Sequence, residues 1–266
     1  MSEVNKELVT EQKDAICTIT FNRPEKRNAV TPRLLNDLVV ELKRLEADDS
    51  IKCVIITGAG EKAFSSGYDI SAIGQHEDEM MRDYRGNHPL VAAVKAIEGF
   101  PYPVIAMING HAFGGGLEIA LTCDLRIATE KALFSMPPAK LGVIYTYTGI
   151  RRFINLIGVG HTKELFLLGR PINAERAQTI GLVNHVLPAE DLERFTYTMA
   201  MEIASNAPLS MKAMKEMINS WQKSQTLTPA DEERVKELIM AVQESDDYVE
   251  GQKAFAEKRA PVFKGK

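Results

Sequence analysis

Apolar and polar positions fall into two rhythms along the chain. Residues Ala15–Phe21 alternate and are rich in β-branched types, which predicts a strand, and Asn22-Arg23-Pro24 breaks it. Thr31-Pro32 then predicts a helix start, because Thr caps and Pro suits the first turn. Leu34, Leu35, Leu38, Val39, Leu42 and Leu45 follow at helical spacing. Val54–Thr57 and Val104–Ile108 are short apolar runs ended by glycine turns, and Leu125–Ala128 is a fourth candidate strand. Strand, helix, strand and glycine turn is the order of an α/β fold with crossover connections. From about residue 158 onward the pattern predicts only helices, over Lys163–Leu168, Ala174–Ile180, Asp191–Ser205, Ser210–Gln222, Ala230–Glu244 and Asp247–Lys258. We therefore expect a core over residues 1–200 and a helical region over 201–266. The charged, weakly patterned stretch Ser71–Asn87 is expected to be a loop over a site.

Composition narrows the class. The chain has 266 residues, is 45% hydrophobic and carries a net charge of −4, which suits one large globular domain and weighs against nucleic acid as a partner. No apolar run approaches the ~18 residues of a membrane span, and the charged N-terminus lacks a secretory signal's apolar stretch, so we expect a cytoplasmic protein with no membrane partner. Cys17, Cys53 and Cys123 lie apart inside apolar runs and are expected to be buried free thiols. No Cys/His spacing suggests a metal.

Two turns carry candidate chemistry. One is Ala63–Ile70, after a strand and a Gly-x-Gly turn; the other is Asn109–Glu118, where three glycines run into an apolar helix. Three glycines at a helix start cost about 0.5–1 kcal/mol each relative to Ala. A bare helix N-terminus offers free N–H groups to a ligand oxygen, the geometry of an oxyanion site. Close packing of the helix against a strand is the alternative. The chain here has neither a Gly-x-Gly-x-x-Gly fingerprint nor a Gly-x-Ser-x-Gly elbow.

Four segments, in order, are Asn22–Val30, Ala63–Ile70, Asn109–Ala128 and Phe255–Arg259. Together they resemble the crotonase (enoyl-CoA hydratase/isomerase) superfamily over nearly the whole chain. The resemblance implies a spiral of ββα units followed by a C-terminal helical trimerisation region, assembling as a homotrimer or a hexamer of two trimers. It implies an acyl-CoA substrate, with coenzyme A as part of the substrate and no separate cofactor. It places the oxyanion-hole N–H groups on Tyr68 and Gly115, with Ser66, Gly67, Asp69, Ile70 and Gly114 lining the same turns. It sets the coenzyme beside Lys26, Arg27 and Ala29, and matches Phe255 and Lys258 to its C-terminal coenzyme contacts. Lys258 as a solvated helix charge is the alternative.

The resemblance also shows departures. Hydratases of the family use two glutamates; the first matches Glu118, whereas the second position is Pro138, which cannot transfer a proton. The stretch Phe134–Ile150, including Leu141, resembles the methylmalonyl-CoA decarboxylase branch, whose tyrosine after the Leu-Gly-Val turn matches Tyr145. Tyr68 stands where that branch has histidine, and Ile144 where it has proline. The implied activity is decarboxylation of methylmalonyl-CoA or a related 2-carboxyacyl-CoA. Hydration or isomerisation with Glu118 as a single acid/base, and an acyl-CoA-binding scaffold, stay open.

Overall fold

A computed structural model describes residues 7–69, 88–224 and 227–265. The expected loop Ser71–Asn87 and the candidate site residue Ile70 lie outside the described residues. The chain divides into two compact units, Met1–Phe134 with Ile172–Asn219, and Ser135–Pro171 with Ser220–Lys266. This differs from the boundary expected near residue 200. Helix positions up to Asn219 belong with the first unit because Lys215 pairs with Asp124 at 2.6 Å and Asn219 donates to the Glu98 carbonyl at 2.9 Å.

The first unit holds two sheets. Strands β1 (Leu8–Lys13), β2 (Ile16–Phe21), β3 (Cys53–Gly58), β5 (Val104–Ile108), β7 (Leu125–Thr129) and β10 (His185–Leu187) form a sheet in the order β1-β2-β3-β5-β7-β10. All its pairs are parallel except the edge pair β1·β2. The second sheet has the order β4 (Ala63–Ser65), β6 (His111–Phe113), β8 (Leu133–Ser135), β9 (Ile172–Asn173). Successive strands alternate between the sheets: β3 then β4, β5 then β6, β7 then β8. Each turn of the chain thus lays one strand on each sheet, which is the expected ββα spiral. The expectation of helices alone beyond residue 158 is corrected by β9 and β10; two- and three-residue strands are too short to show a period.

Helix α1 (Pro32–Glu46) starts where Thr31 Oγ1 accepts the Leu34 N–H at 3.1 Å. It buries Leu34, Leu35, Leu38, Leu42 and Leu45, each worth roughly 1.5–3 kcal/mol. Helix α2 (Pro89–Gly99), unassigned from the sequence pattern, buries Leu90, Ala93, Val94 and Ile97. Helix α3 (Gly114–Thr122) carries the glycine run. Alternate residues of the large sheet, Ile16, Cys53, Ile55, Ile105, Met107 and Ile127, pack with Leu192 and Ala200. Those two belong to the later helix Ala189–Ser205. The three cysteines are buried and free. Burial pushes the Cys17 thiol up to about 11 and those of Cys53 and Cys123 to about 12.

The second unit holds a 3₁₀ turn (Pro138–Leu141), a helix Tyr147–Lys163 that kinks at Gly158, a π-helical turn Glu164–Leu168 and the last helix Asp246–Ala256. Among the described residues no helix is long and apolar enough to cross a membrane.

Candidate active site

The turn after β4 is built on Gly67, whose φ of +99° suits glycine. A Cβ there would also meet the Phe113 carbonyl oxygen at 2.9 Å, and it would lie 3.5 Å from the Gly115 nitrogen. Ser65 Oγ accepts the Gly67 N–H at 3.2 Å. Val30 pairs with Tyr68 as a parallel bridge: the Val30 N–H donates to the Gly67 carbonyl and the Asp69 N–H to the Val30 carbonyl, both at 2.9 Å. In such a ladder the N–H of the bridged residue points away from its partner, so Tyr68 directs its amide to the side opposite Val30. That side is the start of α3. The Tyr68 nitrogen lies 3.7 Å from where a Cβ on Gly115 would stand.

Gly115 occupies the second position of α3, where a helix has no internal acceptor for its N–H. Both amide nitrogens therefore lie beside the space that the absent Gly115 side chain leaves. The positive end of the helix dipole faces the same space. Leu90 walls it, with Cδ2 3.2 Å from that Cβ position. The neighbouring glycine has another job: a Cβ on Gly116 would lie 2.5 Å from Ser65 Cβ and 2.8 Å from the Ser65 carbonyl oxygen. Close packing against β4 accounts for Gly116, while the Cβ position of Gly115 lies beside the Tyr68 nitrogen. Gly114, with φ of +51°, completes the turn into the helix.

Glu118 lies three residues after Gly115, on the same face of α3, and is 5% exposed. Helical side chains lean toward the N-terminus, so its carboxylate tilts toward the glycine start. The far end of α3 is fixed by Arg126, a buried residue that the sequence pattern did not single out. Its guanidinium donates to the carbonyls of Leu121 at 3.3 Å and Cys123 at 2.6 Å. A cation at a helix C-terminus opposes the dipole's negative end. Burial lowers the Arg126 pKa from its ordinary value.

The expected coenzyme segment is stitched to the same turn. Arg27 and Asn28 are both left-handed, with φ of +51° and +54°. Asn28, fully buried, holds this conformation with its side-chain amide fully hydrogen-bonded. Its Nδ2 donates to the carbonyls of Ala63 at 2.7 Å and Ala59 at 3.0 Å, and its Oδ1 accepts the Arg23 N–H at 3.1 Å. Ser66 donates from its N–H to the Arg27 carbonyl at 2.9 Å and from Oγ to the Lys26 carbonyl at 3.3 Å. Lys26 and Arg27 are exposed, whereas Ala29 is buried and its carbonyl accepts Arg23 Nη1 at 2.7 Å. Asp69 is an expected substrate residue, yet its carboxylate is held by the Arg23 guanidinium at 2.9 Å. Arg23 and Asn28 are the anchors that spacing alone did not mark, because their partners lie up to 46 positions away in the chain, at Asp69.

In the second unit Pro138 opens the 3₁₀ turn through Leu141, and Gly142 follows at φ of +65°. Tyr145 is half-buried, edge-on to Phe166 at 5.5 Å, and Phe166 is edge-on to Phe153 at 5.0 Å. Phe255 is 54% exposed, and Lys258 is exposed in a left-handed conformation just beyond the last helix.

Residues 11–266 match the enoyl-CoA hydratase/isomerase family profile. The methylmalonyl-CoA decarboxylase of Escherichia coli is 37% identical over 252 residues, covering 94% of this chain and 95% of that protein. A short-chain-enoyl-CoA hydratase of Clostridium acetobutylicum is 34% identical over 254 residues, covering 95% of each. A solved structure of methylmalonyl-CoA decarboxylase in complex with 2-nitronate-propionyl-CoA superposes with a TM-score of 0.92 at 35% identity, over 99% of this chain and 100% of that one. This chain belongs to the enoyl-CoA hydratase/isomerase family of enzymes.

Proposed function

We propose that this enzyme is a carbon–carbon lyase that decarboxylates methylmalonyl-CoA or a closely related 2-carboxyacyl-CoA. The observation that supports this reading is the placing of the Tyr68 and Gly115 amide nitrogens side by side, against the Leu90 side chain. Two N–H donors aimed at a thioester oxygen favour the enolate over the ground state. In the step we propose, the C2–carboxylate bond breaks and CO₂ leaves. Its electron pair forms the C1–C2 double bond, and the thioester oxygen takes the negative charge between the two amides. A proton then adds at C2 and gives the acyl-CoA. No protein base is needed for the cleavage. Pro138 in place of a second carboxylate speaks against hydration, and the decarboxylase relative at 37% identity supports the lyase reading. Glu118 places a water or assists the protonation. Tyr145 orients the carboxylate; its part, like those of Phe255 and Lys258 in holding coenzyme A, rests on the resemblance alone.

The competing reading is an enoyl-CoA hydratase or isomerase with Glu118 as a single acid/base, favoured by that buried carboxylate on the Gly115 face and by the hydratase relative. An acyl-CoA-binding scaffold is the third. Incubation with methylmalonyl-CoA and crotonyl-CoA separately distinguishes them. We expect CO₂ release from the first with no hydration of the second. Rapid formation of 3-hydroxybutyryl-CoA overturns the lyase reading, and tight binding with no turnover favours the scaffold.

The reading extends to assembly as a homotrimer or a pair of trimers. Met214, Met217, Ile218 and Trp221 are 55–70% exposed and fall at helical spacing on one face of helix Pro208–Lys223. Light scattering tests this; a monomer contradicts it. Three buried free thiols suit a reducing compartment such as the cytoplasm.

A further inference from the structure

The space where the two amides meet has a wall that neither of them supplies. Helix α2 begins at Pro89, and His88 before it is extended, with φ of −60° and ψ of 128°, as a residue preceding proline should be. His88 Nδ1 accepts the Leu90 N–H at 3.2 Å. Acceptance uses the lone pair on Nδ1. The same ring lies 5.5 Å from the Tyr68 ring, tilted by 44°. Leu90, whose amide His88 binds, is the residue that presses Cδ2 toward Gly115.

One imidazole therefore meets both halves of the arrangement. It touches the side chain of the residue that gives one amide, and it caps the residue that walls the other. Capping alone does not call for histidine, since Ser, Thr, Asp and Asn are the favoured caps. None of those has a ring to lie against Tyr68. A ring contact alone does not call for an acceptor at Nδ1. Histidine joins the two roles in one side chain.

We propose that His88 is a positioning residue for the two-amide hole, holding Tyr68 and Leu90 in the relation that keeps the Gly115 amide open to a thioester oxygen. It acts through these neighbours and not on the substrate, and the inference rests on the Tyr68 and Gly115 amides being the hole. Three variants separate its parts: His88→Asn keeps a cap and loses the ring, His88→Phe keeps a ring and loses the cap, and His88→Ala loses both. With the thioester that the wild type turns over, His88→Ala is expected to lower kcat by about 10- to 100-fold with KM little changed. His88→Asn and His88→Phe should each recover part of that loss. Hydrogen exchange of the Leu90 amide should quicken in the Ala and Phe variants and stay slow in Asn.

A folded His88→Ala protein with wild-type kcat overturns the proposal. So do Asn and Phe variants that match Ala in kcat. If the wild type turns over neither thioester, the proposed chemistry fails, and the amide chemical shifts of Tyr68 and Gly115 still decide this inference. Shifts of both that move in a folded His88→Ala protein uphold the bracing role, and unchanged shifts overturn it.

Discussion

A side chain on Gly67 would run into the Phe113 carbonyl oxygen at 2.9 Å; one on Gly251 would run into the carbonyl oxygen of Leu141, and one on Gly142 into that of Asp247. Two turns of the molecule are thus held by backbone lying on backbone. In the first unit this approach brings the Tyr68 and Gly115 nitrogens close together, and the chemistry we propose there uses the main chain. In the second unit it seats the Pro138–Gly142 turn on the last helix, and what the turn displays is side chains, Pro138 among them. The same packing device therefore fixes a hole in one place and a scaffold in the other. The enolate chemistry we propose belongs to the first turn.

The largest expected effect breaks the first turn. Gly115→Pro removes one donor while leaving a residue tolerated in a helix's first turn. It should lower the rate by about 10²- to 10³-fold, about 3–4 kcal/mol of transition-state stabilisation, with circular dichroism unchanged. Steady-state rates check this, and an unaffected rate refutes the assignment of the amide. Gly251→Ala strikes the second turn, where backbone must move; thermal melting should show a loss of about 3 kcal/mol. Gly116→Ala sharpens the contrast within α3, since its clash is mainly with Ser65. A loss of about 1–2 kcal/mol is expected there, with the donor on Gly115 retained.

The smallest effect concerns the tail of the second unit. Hydrogen bonding to Arg259 first, and to the Val262 N–H second, holds the Glu250 carboxyl well below its ordinary 4.5, at about 2. A depressed carboxyl stabilises the fold fully above its unfolded pKa and loses that contribution as pH falls through the folded value. Melts of the wild type and Glu250→Gln should therefore differ slightly above about pH 4.5 and converge as pH falls below about 2. The pair is solvent-exposed, so salt should shrink the difference.

Much of this was legible from the amino-acid pattern for identifiable reasons. Strands β3 and β5 are continuous apolar runs, and α1 announces itself by a Thr cap and leucines at helical spacing. Strands β4, β6 and β8 have three residues each, too few to show a period, yet they place both turns of the site. Helix α2 carries a readable signal in Pro89 followed by buried Leu90, Val94 and Ile97. Gly67 was marked only by the family resemblance, whereas the Gly114–Gly116 run stood out because glycine is costly at a helix start where it is not needed. Asn28, Arg23 and Arg126 did not, because what makes them anchors is a set of distant carbonyls and carboxylates that only the fold brings near. The unit boundary was hidden for the same reason, resting on contacts such as Lys215 with Asp124.

The most direct test of the central claim is binding of a stable planar anion that resembles the enolate and shares its charge between the group on C2 and the thioester oxygen. The nitronate of 2-nitropropionyl-CoA is such a probe. Its affinity, measured by calorimetry beside that of propionyl-CoA, should be at least about 10²-fold tighter for the wild type, and Gly115→Pro should erase the difference. Equal affinity of the two thioesters for the wild type would contradict a hole built from the Tyr68 and Gly115 amides.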